Sequence, residues 1–200
     1  MCPMMRRLFI AVDLSINVVE RLVLFQDELQ GRLRGAFGDD LSVRWTDAEN
    51  IHLTLKFLGD TPGDLVSMLE STVRRLAEPL FPFEVECRGF GAFPRPDQPR
   101  ILWAGLDTKS AEVLGLLQQA LERDLQEIGV AADPREFLPH ITLGRLKSRA
   151  NPDLSELFGR YDELSFGKSY IKDLVLYESH LRHDGPRYEV LERFALGQHG

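Results

Sequence analysis

Two short segments of this 200-residue chain carry the same arrangement of reactive side chains. One reads IHLTLKFL from Ile51 to Leu58 and the other PHITLG from Pro139 to Gly144, so His52 and Thr54 are matched by His140 and Thr142. In a strand, residues i and i+2 point to the same face. Strict alternation then gives the first segment an apolar face of Ile51, Leu53, Leu55 and Phe57, with His52, Thr54 and Lys56 on the other. In the second, Ile141 and Leu143 face a core while His140 and Thr142 project together.

An imidazole and a hydroxyl from each strand suit phosphoryl chemistry. Opening a cyclic phosphodiester needs a base to take a proton from water and an acid to protonate the departing ribose oxygen. Histidine titrates near neutrality, so one ring can be neutral while another is charged. Each such transfer contributes about 10²–10⁴ in rate. The threonine hydroxyls can donate to the non-bridging oxygens, where the transition state holds negative charge, and Lys56 would add a positive charge. Arg145 is a further phosphate ligand if the strand bends. Alternation alone sends it with Leu143, away from His140, but Gly144 offers a bulge that could re-aim it. A single His-x-Thr means little; two copies at matching points imply a shared site. His180, His183 and His199 lack that context and read as surface residues. Lys147 and Arg149 fit a solvated loop at least as well as a contact with RNA.

The elements around these segments repeat as well. RLFIAVDLS leads through a helix to HLTL, and RILWAGLDTKS leads through a helix to HITL. Arg7 to His52 spans 45 residues and Arg100 to His140 spans 40. The period, about 90 residues, is too long for a solenoid, and two strand–helix–strand units facing each other across a pseudo-twofold axis are expected. Further expected strands are Ser42–Trp45, Phe83–Phe90, Ser169–Glu178 and Tyr188–Leu196, the last two joined by a turn at His183-Asp184-Gly185-Pro186. Helices are expected after Ser15, from Thr61-Pro62 to about Ala77 with Asp64 in a capping box, from Asp107 or Thr108 to Ile128 before Gly129, and near Asn151–Phe158. GAFPRPDQPR reads as a loop. The fold class is α+β, with antiparallel strands rather than a parallel sheet.

Composition narrows the function. A net charge of −7 argues against binding along long stretches of nucleic acid. It leaves room for a local cluster of donors gripping one terminal phosphate. Cys2 and Cys87 cannot build a disulfide framework, and Cys87 reads as a small buried hydrophobe. The apolar stretch Leu8–Val12 is too short for a secretory signal, and no run could span a bilayer; a cytoplasmic protein without membrane contact is expected. No carboxylate shares the motif faces and no phosphate-binding glycine loop is present, so neither metal nor nucleotide cofactor is expected. The acidic surface and the lack of a heptad favour a monomer.

HLTL at 52–55 and HITL at 140–143 resemble the paired signatures of the 2H phosphoesterase superfamily. RLFIAVDLS, NIHLTLKFLGD, FGAFPRPDQPR before ILWAGL, FLPHITLGR and LVLYESHLRHDGPRYEVL extend that resemblance over almost the whole chain, toward the RNA 2′,3′-cyclic phosphodiesterase branch, also called 2′-5′ RNA ligase. The resemblance implies one domain over residues 1–200, bilobal, with both motifs lining a central cleft. It also implies metal-free hydrolysis of an RNA-terminal 2′,3′-cyclic phosphate to a 2′-phosphomonoester, with His52 as proton donor, His140 as proton acceptor and Arg145 on the phosphate. A 5′-hydroxyl replacing water would give a 2′-5′ linkage. RNA 3′ ends such as tRNA halves, or small cyclic nucleotides, are the expected partners. A module that merely binds RNA ends fits less well, because simple phosphate binding favours Arg and Lys over a neutral His.

Overall fold

The computed structural model describes residues 4–148, 152–181 and 185–197; Cys2, Arg149, His183 and His199 lie outside them. The strongest period-two segments become the centre of the sheet. β1 (Met5–Asp13) and β3 (His52–Pro62) pair with each other, as do β5 (Gln98–Leu106) and β6 (Ile141–Ser148). Among the described residues, β2 (Leu41–Trp45), β4 (Phe83–Arg95), β7 (Ser165–Ile171), β8 (Asp173–Leu181) and β9 (Pro186–Ala195) complete nine strands in one antiparallel sheet. The order is β7-β4-β5-β6-β3-β1-β8-β9, with β2 pairing with β6. Outward from the centre the halves correspond: β3-β1-β8-β9 on one side, β6-β5-β4-β7 on the other. The inner two strands of each half come from one strand–helix–strand unit, as the duplicated sequence implies.

The helices cross between halves. α1 (Ile16–Phe37) follows β1 but packs over the other half, where buried Gln26 donates through Nε2 to the carbonyls of Thr46 at 2.9 Å and Leu143 at 2.8 Å. α3 (Thr108–Glu127) follows β5 and reaches β3 through a Glu122–Lys56 ion pair. α2 (Val66–Ala77) and a short α4 (Ser155–Gly159) are the other α-helices among the described residues. Leu8, Ile10, Val12, Leu53, Ile141 and Leu143 from the sheet, with Leu22, Leu29, Leu114 and Leu121 from the helices, form one fully buried core. Burying each such side chain stabilises the fold by roughly 1.5–3 kcal/mol. The Asp107 carboxylate caps α3, accepting from the Ser110 amide at 3.0 Å, and Gly129 follows with φ +88°. Ser15 occupies the N-cap of α1, yet its hydroxyl accepts from the Tyr170 amide at 2.9 Å, tying the helix start to β7 instead. Cys87 is buried, and loss of solvation pushes its thiol up to about 12.

Three local expectations are corrected. GAFPRPDQPR is not a loop but the tip of the β4–β5 hairpin; Pro94 sits at a register shift, where a ladder tolerates a missing N–H. Ser169–Glu178 is not one strand but parts of β7 and β8, which pair with different neighbours, β4 and β1. Pro62 closes β3 rather than opening a helix, and a 3₁₀ turn at Gly63–Leu65 precedes α2.

Candidate active site

The two halves join where Leu53 of β3 pairs antiparallel with Ile141 of β6. By that register His52 lies across from Thr142, and Thr54 across from His140. Leu53 and Ile141 are buried toward the helices, so the four motif side chains share the opposite, cleft-lining face.

A bulge follows the threonine in each motif. On β3, Thr54 pairs with Ala11 and Lys56 with Ile10, so Leu55 is the extra residue. On β6, Thr142 pairs with Trp103 and Gly144 with Leu102, so Leu143 is the extra residue. Leu55 and Leu143 occupy the same place in HLTL and HITL. Each extra residue inverts the side-chain phase beyond it. In β6 the inversion turns Arg145 onto the face of His140 and Thr142, by the kind of bulge that Gly144 offers. In β3 it has two consequences that overturn the alternation reading. Lys56 is not a phosphate ligand: it is 4% exposed, and its ammonium donates to both Glu122 carboxylate oxygens and to the Ala131 carbonyl, all at 2.8 Å. Phe57 leaves the core face and is 59% exposed, its ring centroid 6.1 Å from that of Phe9.

The imidazoles are set in matching ways. Nδ1 of His52 lies 2.7 Å from the Asn50 carbonyl and Nδ1 of His140 lies 2.7 Å from the Leu138 carbonyl. A carbonyl only accepts, so each Nδ1 carries the proton and each Nε2 is left for chemistry. The Thr54 hydroxyl sits 3.0 Å from Nε2 of His52. Phe9 tilts against the His52 ring at 5.0 Å, and Tyr188 meets it edge-on at 5.2 Å. Phe93 contacts His140 edge-on at 4.9 Å.

Electrostatics separate the two rings. Burial is the main cause holding both below the ordinary 6.5, and charge on His140 further disfavours charge on His52, so the rings sense each other. Beyond that they differ. Asp13, opposite His52 in the β1–β3 register, favours the imidazolium there. Arg145 disfavours it at His140. Asp13 is itself held by the Tyr177 hydroxyl, which donates to it, and by Arg193 at 2.7 Å. Burial, together with that hydrogen bond, raises the Tyr177 phenol above its usual range. Phe9, Asp13, Tyr177 and Tyr188 carry no local signal in sequence; their roles depend on pairings between distant strands. His180 lies away from this site and bonds Glu189 at 3.1 Å. With Glu178 it forms the one His–carboxylate group among the described residues whose ligand atoms lie within 4.8 Å of one another, and neither His52 nor His140 belongs to it.

Two four-stranded halves meeting at paired His-x-Thr strands define a phosphoesterase of the two-histidine type. The chain belongs to the LigT-like phosphoesterase family, whose model matches residues 26–103 and 105–188. It is 33% identical over 191 residues to an RNA 2′,3′-cyclic phosphodiesterase of Methanothermobacter thermautotrophicus, covering 95% of this chain and 98% of that one. It is also 34% identical to the Archaeoglobus fulgidus protein of the same name, over 94% and 99% of the two chains. A crystal structure from Thermus thermophilus superposes with a TM-score of 0.79 at 31% identity, covering 97% of this chain and all of that one. Escherichia coli LigT complexed with 3′-AMP gives a TM-score of 0.74 at 26% identity, over 97% and 99% of the chains. No helix among the described residues is long and apolar enough to cross a membrane.

Proposed function

We propose that this protein hydrolyses a 2′,3′-cyclic phosphate at an RNA 3′ end to a 2′-phosphomonoester, with His52 as general acid and His140 as general base. The observation that carries the reading is the opposed polarity of the two imidazoles: a carboxylate beside His52 and a guanidinium beside His140. Paired titratable groups whose surroundings differ in this way divide the acid and base roles. The relatives named RNA 2′,3′-cyclic phosphodiesterase support the substrate class.

In the proposed step, Nε2 of His140 takes a proton from water as the water oxygen bonds to phosphorus. The bond from phosphorus to the 3′-oxygen breaks, and His52, entering as the imidazolium, protonates that oxygen. Thr54, Thr142 and Arg145 donate to the non-bridging oxygens. Phosphate remains on the 2′-oxygen. A 5′-hydroxyl in place of water, attacking by the same route, would leave a 2′-5′ phosphodiester. Proton inventory and charge stabilisation come from the chain's own groups, and no metal is assigned a role.

Product analysis tests this reading. An oligoribonucleotide ending in a 2′,3′-cyclic phosphate, incubated with the protein in EDTA, should yield a 2′-phosphomonoester. A 3′-phosphomonoester would overturn the acid assignment, and an unchanged substrate would overturn the activity.

A further inference from the structure

A cavity of about 430 Å³ opens on the cleft face of the second half, and His140 forms part of its wall. Its floor is an indole. Trp103 lies opposite Gly91 in the β4–β5 ladder, and a Cβ on Gly91 would collide with Trp103 Cζ2 and Cη2. A Cβ on Gly105 would meet the Arg88 carbonyl at 2.9 Å and Trp103 Cζ3 at 3.1 Å. Glycine at both places lets the ring lie down on the sheet. Phe93 packs against the indole at 5.2 Å between centroids and also meets His140 edge-on. Both aromatic side chains are half-buried, and the exposed Leu138 lines the same space. Trp103 Nε1 is buried with no hydrogen-bond partner among the described residues, and packing for stability alone rarely leaves such a donor. The matching flank of His52 is filled. There Phe9, Tyr188 and Tyr177 stand 5.0, 5.2 and 6.1 Å from the imidazole, and Phe9 is buried. The ladders show the source of the difference. Ala11 pairs with Thr54 and Trp103 with Thr142; two residues on, the first half carries Asp13 and the second carries Gly105.

We infer that this cavity is an acceptor subsite, which takes the nucleobase of a nucleoside whose 5′-hydroxyl enters in place of water. The inference rests on the RNA-end reading above and deepens it. In an in-line displacement the entering and departing oxygens lie on opposite sides of phosphorus. The departing 3′-oxygen is at His52, so its ribose and base extend from that side. The entering oxygen arrives at His140, against which the cavity opens. Water needs no wall of its own there. A nucleoside brings a planar base, and aromatic faces stack any base. The charge of the wall fits as well. A 5′-hydroxyl end carries no phosphate on its 5′ side. Arg88, the one lysine or arginine among the described residues that line the cavity, is already paired with Glu86 at 2.6 Å and Glu163 at 3.0 Å. In the step, the 5′-oxygen bonds to phosphorus as the bond to the 3′-oxygen breaks. The 5′-hydroxyl proton passes to Nε2 of His140, and His52 gives its own to the 3′-oxygen. The product is a 2′-5′ phosphodiester, and no further reactant is consumed.

The test supplies adenosine 2′,3′-cyclic phosphate to the wild-type protein with either cytidine or methyl β-riboside, two acceptors with the same 5′-hydroxyl, the second without a base. Chromatography reads the ratio of 2′-5′-linked product to adenosine 2′-phosphate. Cytidine should give a ratio that saturates with concentration and exceeds that of the riboside roughly tenfold or more, the size of one stacked base. Phe93→Ala should lower the cytidine ratio to the riboside's. Hydrolysis is the internal standard, so partial misfolding of the variant does not imitate the result. Equal ratios for the two acceptors, hydrolysis without transfer, or a ratio unchanged in Phe93→Ala would overturn the subsite. A protein that forms neither product sinks the catalytic reading, and binding then decides the subsite. Trp45→Phe leaves Trp103 as the sole tryptophan. In that background cytidine, but not the riboside, should quench the fluorescence saturably; no quenching would overturn the inference.

Discussion

Leu53 pairs with Ile141, and through that pairing the two halves of the sheet bring their reactive strands together. Both residues are apolar and fully buried, so neither takes part in chemistry. Their antiparallel register nevertheless sets His52 against Thr142 and Thr54 against His140. Thr54 thereby stands between His52, whose Nε2 lies 3.0 Å from its hydroxyl, and the register position of His140 across the junction.

His52→Ala and His140→Ala should each lower kcat/KM on a cyclic-phosphate substrate by about 10²–10⁴ while leaving the circular dichroism spectrum and a cooperative thermal transition in place. Neither ring is part of the apolar core beneath the strands. Wild-type turnover in either variant would remove that histidine from the mechanism.

Both imidazoles are held below 6.5 by burial, so as pH falls the unfolded chain takes up protons before the folded one does. Their contribution to stability is complete above the unfolded value and is lost as pH drops through the lowered folded values. Thermal midpoints in a non-binding buffer should therefore fall between about pH 7 and about pH 5, and fall less in a His52→Gln, His140→Gln double variant. A bound phosphate favours the charged rings and should flatten the same decline. Equal slopes in wild type and double variant would show that other groups govern acid stability.

Lys56 tests the bulge on β3. Its ion pair with Glu122 is buried, with side-chain exposures of 3% and 15%. Removing one partner of such a pair strands the other and typically costs about 3–5 kcal/mol, so Lys56→Met should destabilise by about that amount in chemical denaturation. The KM for a cyclic phosphate should move far less than the denaturation midpoint. A large rise in KM at unchanged stability would return Lys56 to the phosphate.

Gly144 tests the bulge on β6. A Cβ there would lie 2.8 Å from Val43 Cγ1, 3.0 Å from Trp45 Cε3 and 3.2 Å from the Arg44 carbonyl. Gly144→Ala must push β2 and β6 apart or undo the bulge that aims Arg145. A destabilisation of about 1–3 kcal/mol is expected from the overpacking, together with a raised KM. An alanine variant with native stability and native KM would mean that the bulge does not depend on the glycine.

Much of this site is legible in the residues themselves. The two His-x-Thr pairs, the repeated strand–helix–strand unit, the α+β class and the Asp107 cap all follow from short-range rules: side-chain period, capping chemistry and the recurrence of one pattern. Those rules act within a few residues, so a sequence displays them directly. They hold for His52, Thr54, His140 and Thr142, which precede any irregularity in their strands. They fail one residue later. A strand's side-chain phase beyond a bulge depends on how its neighbours' ladders are drawn, and Leu55 and Leu143 take up the extra position only because β1 and β5 pair as they do. Alternation therefore misplaces Lys56, assigns Phe57 to the wrong face, and keeps Arg145 only by supposing a bend. The surroundings that distinguish the two rings, with Asp13 beside His52 and Arg145 beside His140, are likewise decided by tertiary pairing. Charge acts through space, and residues far apart along the chain become neighbours only when the sheet assembles.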